Sequence, residues 1–327
     1  MVIDFMAEPL YIDHSFIETK TDFRELVSAL REGFSNNDTL TPERHHHDFP
    51  NNEMGADTTM LLMPSWQDGK DAGVKVVTLS PNNTKLNLPS IQGTYIYMDA
   101  ISAEVKAILD AKSLTNKRTA AASALASSYL SDPSSKTLLL IGTGALSPEL
   151  IKAHCSVRPI KHVMIWGRNI EKAEAVKRLL ADKDLDLEVV EKLGEAIPRA
   201  DIISAATLSK DPLILGKYLR AGQHIDLVGS FKPDMREADN AAIQKAKLFA
   251  DVRSMATKES GDFAIPIAQG LIGSEDIIAD LFDLSQQKKS FKRAEGDITL
   301  FKSVGYAMED LIAARYYFKK WNDVKGL

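Results

Sequence analysis

The most constraining feature of this sequence is a short apolar run that ends in two closely spaced glycines. Residues 138–141 show no polar alternation, which is typical of a strand buried on both faces of a parallel sheet. Gly142-Thr143-Gly144 follows at once, and Ser147 stands where nucleotide-binding turns usually carry a third glycine. Such glycines let a pyrophosphate approach the backbone, and the free N–H groups of the next helix bind the anion. The segment therefore predicts a dinucleotide-binding turn.

The residues after this turn complete the pattern of a βαβ unit. We predict a helix over 147–157 and a second strand over 163–166, followed by Gly167-Arg168-Asn169 at the start of another helix. Further strands are predicted at 202–205, 224–228 and 248–250. This alternation indicates an α/β fold with a doubly wound parallel sheet, the Rossmann architecture. A generic βαβ unit without a ligand is the alternative.

Composition excludes several classes of partner. Forty basic and 45 acidic side chains give a net charge of −5 without a basic block, so we expect no nucleic acid and no membrane surface as partner. No apolar run approaches the ~20 residues that span a bilayer. Cys155 is the only cysteine, and we expect it to pack within a helix. Residues 1–13 carry acids where a signal peptide would be positive, and together with the single cysteine this predicts a cytoplasmic protein. Because the charge pattern favours neither nucleic acid nor a membrane surface, we expect a small-molecule ligand.

The amino-terminal part predicts a helix and a separate sheet. Apolar residues at helical spacing indicate one amphipathic helix over 14–34, with Gly33 as its carboxyl-terminal stop. Strand-like runs at 58–66, 72–79 and 93–99 indicate an antiparallel or mixed sheet.

The sequence also contains three consecutive histidines, His45, His46 and His47. In an extended segment only His45 and His47 share a face, and no cysteine or paired acid lies nearby. We therefore interpret them as surface or interface residues, and we predict no metal site.

Two cations stand in unfavourable positions. Lys75 lies among valines in a strand that looks buried, where it would need an anionic partner; an edge lysine that reaches solvent is the alternative. We predict an alanine-rich helix from about Leu114 to Leu130, which places Arg118 in its first turn. An arginine there opposes the helix dipole unless it binds an anion. Near the end, residues 298–305 lead into a long helix over 306–321.

These segments together resemble the ornithine cyclodeaminase and mu-crystallin family along nearly the whole chain. The matching segments are residues 42–44, 73–78 (GVKVVT), 88–93 (LPSIQG), 114–127 (LTNKRTAAASALAS), 142–145 (GTGA), 166–169 (WGRN), 224–230 (HIDLVGS) and 300–314 (LFKSVGYAMEDLIAA). The resemblance implies a split α+β substrate-binding and dimerisation domain, residues 1–117 with 305–327, and a Rossmann NAD(P) domain, residues 118–304. It also implies a homodimer, which agrees with a strand-rich region too small to cover its own edges.

The resemblance assigns roles to the two cations above. It implies that Arg44, Lys75 and Arg118 hold a substrate carboxylate, with Thr119 beside them, and that Lys75 is the candidate catalytic group near the imine nitrogen. The implied cofactor-binding residues are Gly142, Thr143, Gly144, Ala145, Leu146, Arg168, Asn169, Thr207, Val228, Ser303 and Gly305. Because Arg168 stands where NAD-preferring sites carry an acid, we expect NADPH as cofactor, with NADH as a possible substitute.

One departure from the family pattern selects the reaction. Cyclodeaminases of the family place a catalytic aspartate just after the Val-Gly of the HIxxVG segment, and here Phe231 occupies that position. We expect Asp234, three residues on, to be a turn or helix-capping residue. The resemblance then implies NAD(P)H-dependent reduction of a cyclic imino acid, Δ1-pyrroline-2-carboxylate to L-proline or its six-membered homologue to L-pipecolate. A cyclodeaminase, an alanine-type dehydrogenase and a non-catalytic mu-crystallin-like binding protein stay open as alternatives, as does ring size.

Overall fold

The computed structural model describes residues 8–288 and 291–326, with the side chain of Thr84 excepted. The first seven residues of the segment used to predict localisation lie outside the described part. Strands along the chain are β1 (Leu10–Ile12), β2 (Thr39–Leu40), β3 (His45–Phe49), β4 (Thr58–Gln67), β5 (Asp71–Leu79), β6 (Ile91–Asp99), β7 (Val105–Asp110), β8 (Thr137–Ile141), β9 (His162–Trp166), β10 (Asp186–Val189), β11 (Ile202–Ala205), β12 (His224–Leu227), β13 (Lys247–Ala250), β14 (Ile277–Asp280) and β15 (Thr299–Lys302). Helices are α1 (His14–Lys20), α2 (Phe23–Asn36), α3 (Ala111–Leu130), α4 (Ser147–Val157), α5 (Ile170–Arg178), α6 (Leu193–Ala196), α7 (Asn240–Lys245), α8 (Arg253–Glu259), α9 (Gly261–Ala268), α10 (Leu281–Ser285) and α11 (Ala307–Lys325).

Contacts divide the chain into two compact units. The first comprises Met1–Asp22, Asn36–Arg118 and Tyr306–Leu327, and the second comprises Phe23–Ser35 and Thr119–Gly305. The resemblance implies a first domain that includes residues 23–35. In the structure this segment packs in the second, where the ring centroids of Phe34 and Phe282 are 4.9 Å apart and Ser35 Oγ donates to the carbonyl of Ser285.

The first unit is built on a mixed sheet, as expected from the three strand-like runs. Its strand order is β1-β7-β6-β5-β4-β2, and β3 also pairs with β4. Strands β4, β5 and β6 are antiparallel neighbours, whereas β1 joins β7 in parallel. Helix α11 packs on this sheet, where the Phe318 ring lies 5.2 Å from that of Tyr97.

The prediction of one helix over 14–34 is wrong, because the chain forms α1 and α2 with a break at Thr21 and Asp22. Thr21 leaves helical geometry, with φ −70° and ψ 117°, and its hydroxyl lies 2.7 Å from the hydroxyl of Tyr317. Helices α1 and α2 pack in different units. Their apolar residues, which look like one continuous helical pattern in the sequence, therefore belong to two separate cores. Gly33 does not stop the helix, which continues to Asn36 and is followed by Asn37 with a φ of 52°.

The second unit is built on an all-parallel sheet, which confirms the doubly wound fold. The strand order is β10-β9-β8-β11-β12-β15-β13-β14. Helix α4 has the predicted bounds, 147–157. The chain moves from β8 outward to β9 and β10, and then returns to place β11 on the other side of β8. In such sheets ligands bind outside the carboxyl ends of the strands where this order reverses.

Over residues 8–288 and 291–326, every helix is too short or too polar to cross a membrane.

Candidate active site

The predicted cation Arg118 lies inside a helix and not at its start. Helix α3 begins at Ala111, after Asp110, whose Oδ1 accepts the backbone N–H of Ser113 at 2.8 Å. The expectation that Arg118 lies in the first turn is therefore wrong, and the argument from the helix dipole does not apply. Arg118 does bind anions, because its Nη1 donates to Glu309 Oε2 at 2.7 Å and its Nε donates to Asp310 Oδ1 at 2.8 Å.

Lys75 has the anionic partner that its buried position requires. Its side chain is 4% exposed, so the ammonium does not reach solvent, and Nζ lies 2.7 Å from Asp310 Oδ2. Asp310 thus pairs with Arg118 through Oδ1 and with Lys75 through Oδ2. This arrangement links the centre of β5, the middle of α3 and the first turn of α11.

The charges in this cluster set the protonation of its members. Burial lowers the pKa of Lys75 to about 8, against the attraction of Asp310, while the charges of Arg118 and Arg44 lower it further. Burial disfavours ionised Asp310, but Arg118 and Lys75 outweigh it and lower the pKa of Asp310. Burial also opposes charge on Arg118, yet Asp310 and Glu309 raise the pKa of Arg118. Lys75 is consequently the member of this cluster that can exchange a proton near neutral pH.

The cluster brings together three of the predicted substrate residues. Arg44 is half-buried before β3 and acts electrostatically on Lys75, as does Arg118. Thr119, the fourth predicted residue, is 8% exposed and is the first residue of its segment in the second unit.

Sequence reasoning missed the two carboxylates, Glu309 and Asp310, and a buried phenol. Both acids lie between Met308 and Leu311 in helix 306–321. Acidic residues flanked by apolar residues that face a core are expected to be buried, and this is the signal that could have identified them. Tyr95 stands opposite Lys75 in the β5–β6 pair and is fully buried. Burial and the nearby Asp310 raise the pKa of Tyr95, so its hydroxyl stays protonated.

The glycine turn after β8 has the geometry expected of a dinucleotide site. Gly142 has a φ of 131°, and a Cβ there would lie 2.6 Å from the carbonyl oxygen of Ala206, so a side chain is excluded. A Cβ on Gly167 would lie 2.4 Å from the Thr143 methyl, which fixes the turn against the next strand. At Gly144 a Cβ would meet nothing within 4 Å. Ala145 and Leu146 lead from this open space into α4, whose start has no side-chain cap. The open space fits the close approach of a pyrophosphate.

The second predicted nucleotide segment follows β9. Asn169 is the N-cap of α5, because its side chain accepts the N–H of Lys172 at 2.8 Å. Arg168 is exposed beside it. Asn169 therefore has a structural task, while the guanidinium of Arg168 is accessible to a ligand.

The remaining predicted cofactor residues follow β11, β12 and β15, at the carboxyl ends of these strands. Two buried carboxylates that sequence reasoning missed organise these loops. Asp251 Oδ2 accepts the Ser303 hydroxyl at 3.0 Å and the N–H groups of Val304 and Gly305 at 2.7 Å. Glu237 binds the segments at Thr207 and after Val228, with Thr207 N donating to Oε1 at 2.7 Å and Gly229 N to Oε2 at 2.8 Å.

The histidines and the cysteine take no part in these sites. His45, His46 and His47 are exposed on β3, and the rings of His45 and His47 lie 6.4 Å apart on one face. Within the described part of the chain, no group of three or more His, Cys, Asp or Glu residues could hold a metal ion. Cys155 is half-buried in α4, and burial raises the pKa of its thiol to about 11, which disfavours a reactive thiolate.

Comparison with known proteins identifies the family. The model of the ornithine cyclodeaminase/mu-crystallin family matches residues 9–325. The chain belongs to this family. An uncharacterised protein of Schizosaccharomyces pombe is 44% identical over 95% of this chain and 97% of its own length. The Δ1-pyrroline-2-carboxylate reductase of Paracoccus denitrificans is 35% identical over 95% of this chain and 96% of its own length.

A solved structure shows the same likeness in three dimensions. The Δ1-pyrroline-2-carboxylate reductase of Thermococcus litoralis, in complex with NADH and L-proline, superposes with a TM-score of 0.89 and 30% identity. The match covers 97% of this chain and 98% of that chain. The predicted family and fold class are thus confirmed.

The position where the resemblance implies an aspartate in cyclodeaminases is occupied here by a partly exposed aromatic ring. Phe231 is 37% exposed and has no group that could accept a proton. Asp234 lies in a turn, as expected, and its carboxylate is 2.7 Å from Lys210 Nζ. The hydrogen bond from Lys210 lowers the pKa of Asp234. The carboxylate of Asp234 is therefore already engaged by Lys210.

Proposed function

We propose that this protein reduces a cyclic imino acid, Δ1-pyrroline-2-carboxylate to L-proline, with a reduced nicotinamide cofactor. The observation that carries the proposal is the buried ion cluster in which Lys75 faces Asp310 at 2.7 Å beside Arg118. A cluster of cations with one proton-exchanging member suits a substrate that has a carboxylate and a basic nitrogen. The 35% identical reductase of Paracoccus denitrificans supports the same choice of substrate.

Each residue of the cluster has a separate task in the proposed reaction. Arg118 and Arg44 bind the substrate carboxylate and orient the ring. Glu309 and Asp310 fix the guanidinium of Arg118, so little side-chain freedom is lost when the substrate binds. Lys75 holds a proton at Nζ for the imine nitrogen, and Asp310 stabilises the ammonium form until the proton is transferred.

The bound nicotinamide would supply the hydride that the imine carbon receives. The C=N bond then gains a hydride at carbon and a proton at nitrogen, which gives the cyclic amine. Residues 142–146 would hold the pyrophosphate, and Thr207, Val228, Ser303 and Gly305 would lie toward the nicotinamide end. We also propose a preference for NADPH, because the accessible Arg168 can pair with a 2′-phosphate.

Phe231 favours reduction over cyclodeamination. Deamination of ornithine needs a base to manage the amine and releases ammonia, whereas reduction needs no base at this position. The phenyl ring of Phe231 cannot supply such a base. Asp234 does not replace the base in this proposal, because Lys210 holds its carboxylate.

A substrate panel tests this function. The purified protein should oxidise NADPH or NADH when Δ1-pyrroline-2-carboxylate is added, and we expect turnover with its six-membered homologue as well. It should release no ammonia from L-ornithine with catalytic NAD. Ammonia release without imine-dependent cofactor oxidation would identify a cyclodeaminase. Faster cofactor oxidation with pyruvate and ammonia than with the imine would identify an alanine-type dehydrogenase. Ligand binding without turnover would identify a mu-crystallin-like protein.

We propose that the working form is a homodimer. All five residues of β3 are exposed at the edge of the first sheet, and an exposed edge strand is a template for pairing with another chain. We also propose a cytoplasmic location, which the single cysteine, Cys155, supports because an intrachain disulfide cannot form.

A further inference from the structure

A buried ion cluster lies inside the second unit, apart from the substrate-binding cations. Its members are Glu237, Asp262 and Lys302, and each is 0% exposed. Lys302 Nζ lies 3.3 Å from Asp262 Oδ2, while Asp262 Oδ1 accepts the N–H groups of Glu237 and Ala238. Burying charges in a protein interior is costly, and apolar residues of similar volume often stabilise a fold equally well. The cluster therefore calls for a role other than stability.

Glu237 uses its whole carboxylate to hold two loops together. Oε1 accepts the backbone N–H of Thr207 at 2.7 Å and the Thr207 hydroxyl at 2.9 Å. Oε2 accepts the N–H of Gly229 at 2.8 Å and that of Ser230 at 3.4 Å. The loops are in direct backbone contact, because a Cβ on Gly229 would lie 2.0 Å from the Thr207 carbonyl oxygen.

The two loops lie where a doubly wound sheet receives its ligand. Strands β11 and β12 are parallel neighbours that end in register at Ala205 and Leu227, so both loops leave the carboxyl edge of the sheet. Strand β11 also adjoins β8, where the strand order reverses. The pyrophosphate turn follows β8, which leaves the loops after β11 and β12 for the remainder of the dinucleotide.

We propose that Glu237 is a positioning residue whose ionised carboxylate sets the loops at Thr207 and Gly229 for the nicotinamide half of the cofactor. This inference rests on the proposed nicotinamide-dependent function. As a carboxylate, Glu237 accepts on both oxygens. A proton on either oxygen would make that oxygen a donor and a poorer acceptor, which would weaken the hydrogen bonds that it accepts from one loop.

The charge of Glu237 is poised to change near neutral pH. Burial raises the pKa of Glu237 to about 7; Lys302 opposes this increase, Asp262 adds to it, and the N–H groups of Thr207 and Gly229 oppose it. Lys302 from β15 and Asp262 from α9 are the charged groups that act most strongly on it, and its loop contacts are neutral. Glu237 is ionised above about pH 7, so cofactor affinity should weaken as pH falls through that value.

NADH binding in the absence of imine tests this proposal without any turnover. We would measure the dissociation constant by NADH fluorescence between about pH 6 and about pH 8.5, since NADH lacks a 2′-phosphate that titrates in this range. The wild type should bind more weakly below about pH 7. Glu237→Gln should bind about 10-fold more weakly at high pH, as expected for one charge-assisted hydrogen bond, and should lose the inflection.

Three further variants separate positioning from general damage. Thr207→Val removes the hydroxyl that donates to Glu237 and should weaken NADH binding, whereas Thr207→Ser should restore it. Asp201→Asn is the matched control, because Asp201 Oδ2 also accepts two backbone N–H groups, from Lys136 at 2.9 Å and Thr137 at 3.0 Å, at the opposite edge of the same sheet. Its NADH affinity and pH dependence should equal those of the wild type.

The outcomes distinguish this inference from the proposed function. If Glu237→Gln folds and binds NADH with the wild-type constant and pH dependence, or if Thr207→Val binds as tightly as Thr207→Ser, the positioning role is overturned while imine reduction stands. If the wild type binds neither NADH nor NADPH, the proposed function itself fails and the inference fails with it.

Discussion

At the scale of single residues, the first unit contains a network of buried ion pairs in which each side chain restrains the conformation of its neighbour. Asp310 lies between Lys75 and Arg118, with Nζ at 2.7 Å and Nε at 2.8 Å, and Glu309 holds the other side of the guanidinium. A guanidinium held this way presents its remaining donors to a carboxylate without loss of side-chain entropy. Burial leaves Lys75 with a pKa of about 8, so it is both a cation and an available acid.

The first prediction follows from the protonation of Lys75. The wild-type kcat/KM for imine reduction should fall as pH rises through about 8, because the ammonium form is lost above its pKa. Lys75→Ala should lower kcat/KM at neutral pH by at least ~10-fold, since one charge-assisted contact is removed, and should lose that alkaline decline.

A matched control for Lys75 is available in the same sheet. Lys106 lies on β7, 34% exposed, and pairs with Glu104 at 2.6 Å. Lys106→Ala should keep wild-type kcat/KM, and circular dichroism should show that both variants are folded. Full activity of Lys75→Ala would return Lys75 to a purely structural role.

A second prediction at this scale concerns Arg168 and cofactor choice. Arg168→Ala should raise the KM for NADPH much more than that for NADH, because only NADPH has a 2′-phosphate to lose its partner. Arg178→Ala, at the other end of α5, removes an exposed arginine from the same helix and should change neither constant. Equal effects of Arg168→Ala on both cofactors would contradict the assignment.

At the scale of elements, the turn between β8 and α4 shows two glycines with different tasks. Gly142 is required by the fold, since its φ of 131° and the Ala206 carbonyl exclude a side chain. Gly144 has open space around its Cβ position, so the fold tolerates a methyl group there. In the proposed function, this open space at Gly144 is where the cofactor approaches the backbone.

The two alanine variants of this turn should therefore separate stability from binding. Gly142→Ala should lower the free energy of unfolding by about 1–3 kcal/mol, the cost of a strained backbone, with a lower Tm. Gly144→Ala should leave Tm unchanged and weaken NADH binding measured by fluorescence. Unchanged NADH affinity in Gly144→Ala would show that the turn does not receive the cofactor.

Local patterns predicted the elements of the second unit well, and long-range contacts were beyond their reach. The apolar run of β8, the short strand β11 and the bounds of α4 follow from hydrophobicity and glycine placement alone. The break at Thr21 was missed because apolar spacing does not reveal which core a helix faces. Arg118 was misplaced for a different reason: the Asp110 side chain that accepts the Ser113 N–H is a local signal of the helix start, and it was overlooked.

The residues of the candidate site also divide into those that a local sequence signal marks and those that only the fold identifies. Lys75 could be recognised because a lysine among valines contradicts its own surroundings. Its partner, Asp310, is distant in sequence, and only the fold brings the two together. Glu237 and Asp251 were missed for the same reason: each binds loops that follow other strands, so no local spacing marks them.

At the scale of the whole molecule, the exposed edge of the first sheet supports the proposed homodimer. With β3 exposed along its full length, we expect a second copy of the chain to cover this edge. Sedimentation at micromolar concentration should show a species of twice 36.0 kDa. A single 36.0 kDa species under these conditions would contradict the dimer.

The measurement that tests the central claim most directly is the fate of a labelled hydride. The protein would be incubated with Δ1-pyrroline-2-carboxylate and nicotinamide cofactor carrying deuterium at C4, and the product would be examined by mass spectrometry and NMR. We predict L-proline with one deuterium at Cα, formed in proportion to the cofactor oxidised, because the imine carbon receives the hydride. Cofactor left unoxidised would contradict the account. So would proline that contains no deuterium whether the label is placed on one face of C4 or on the other.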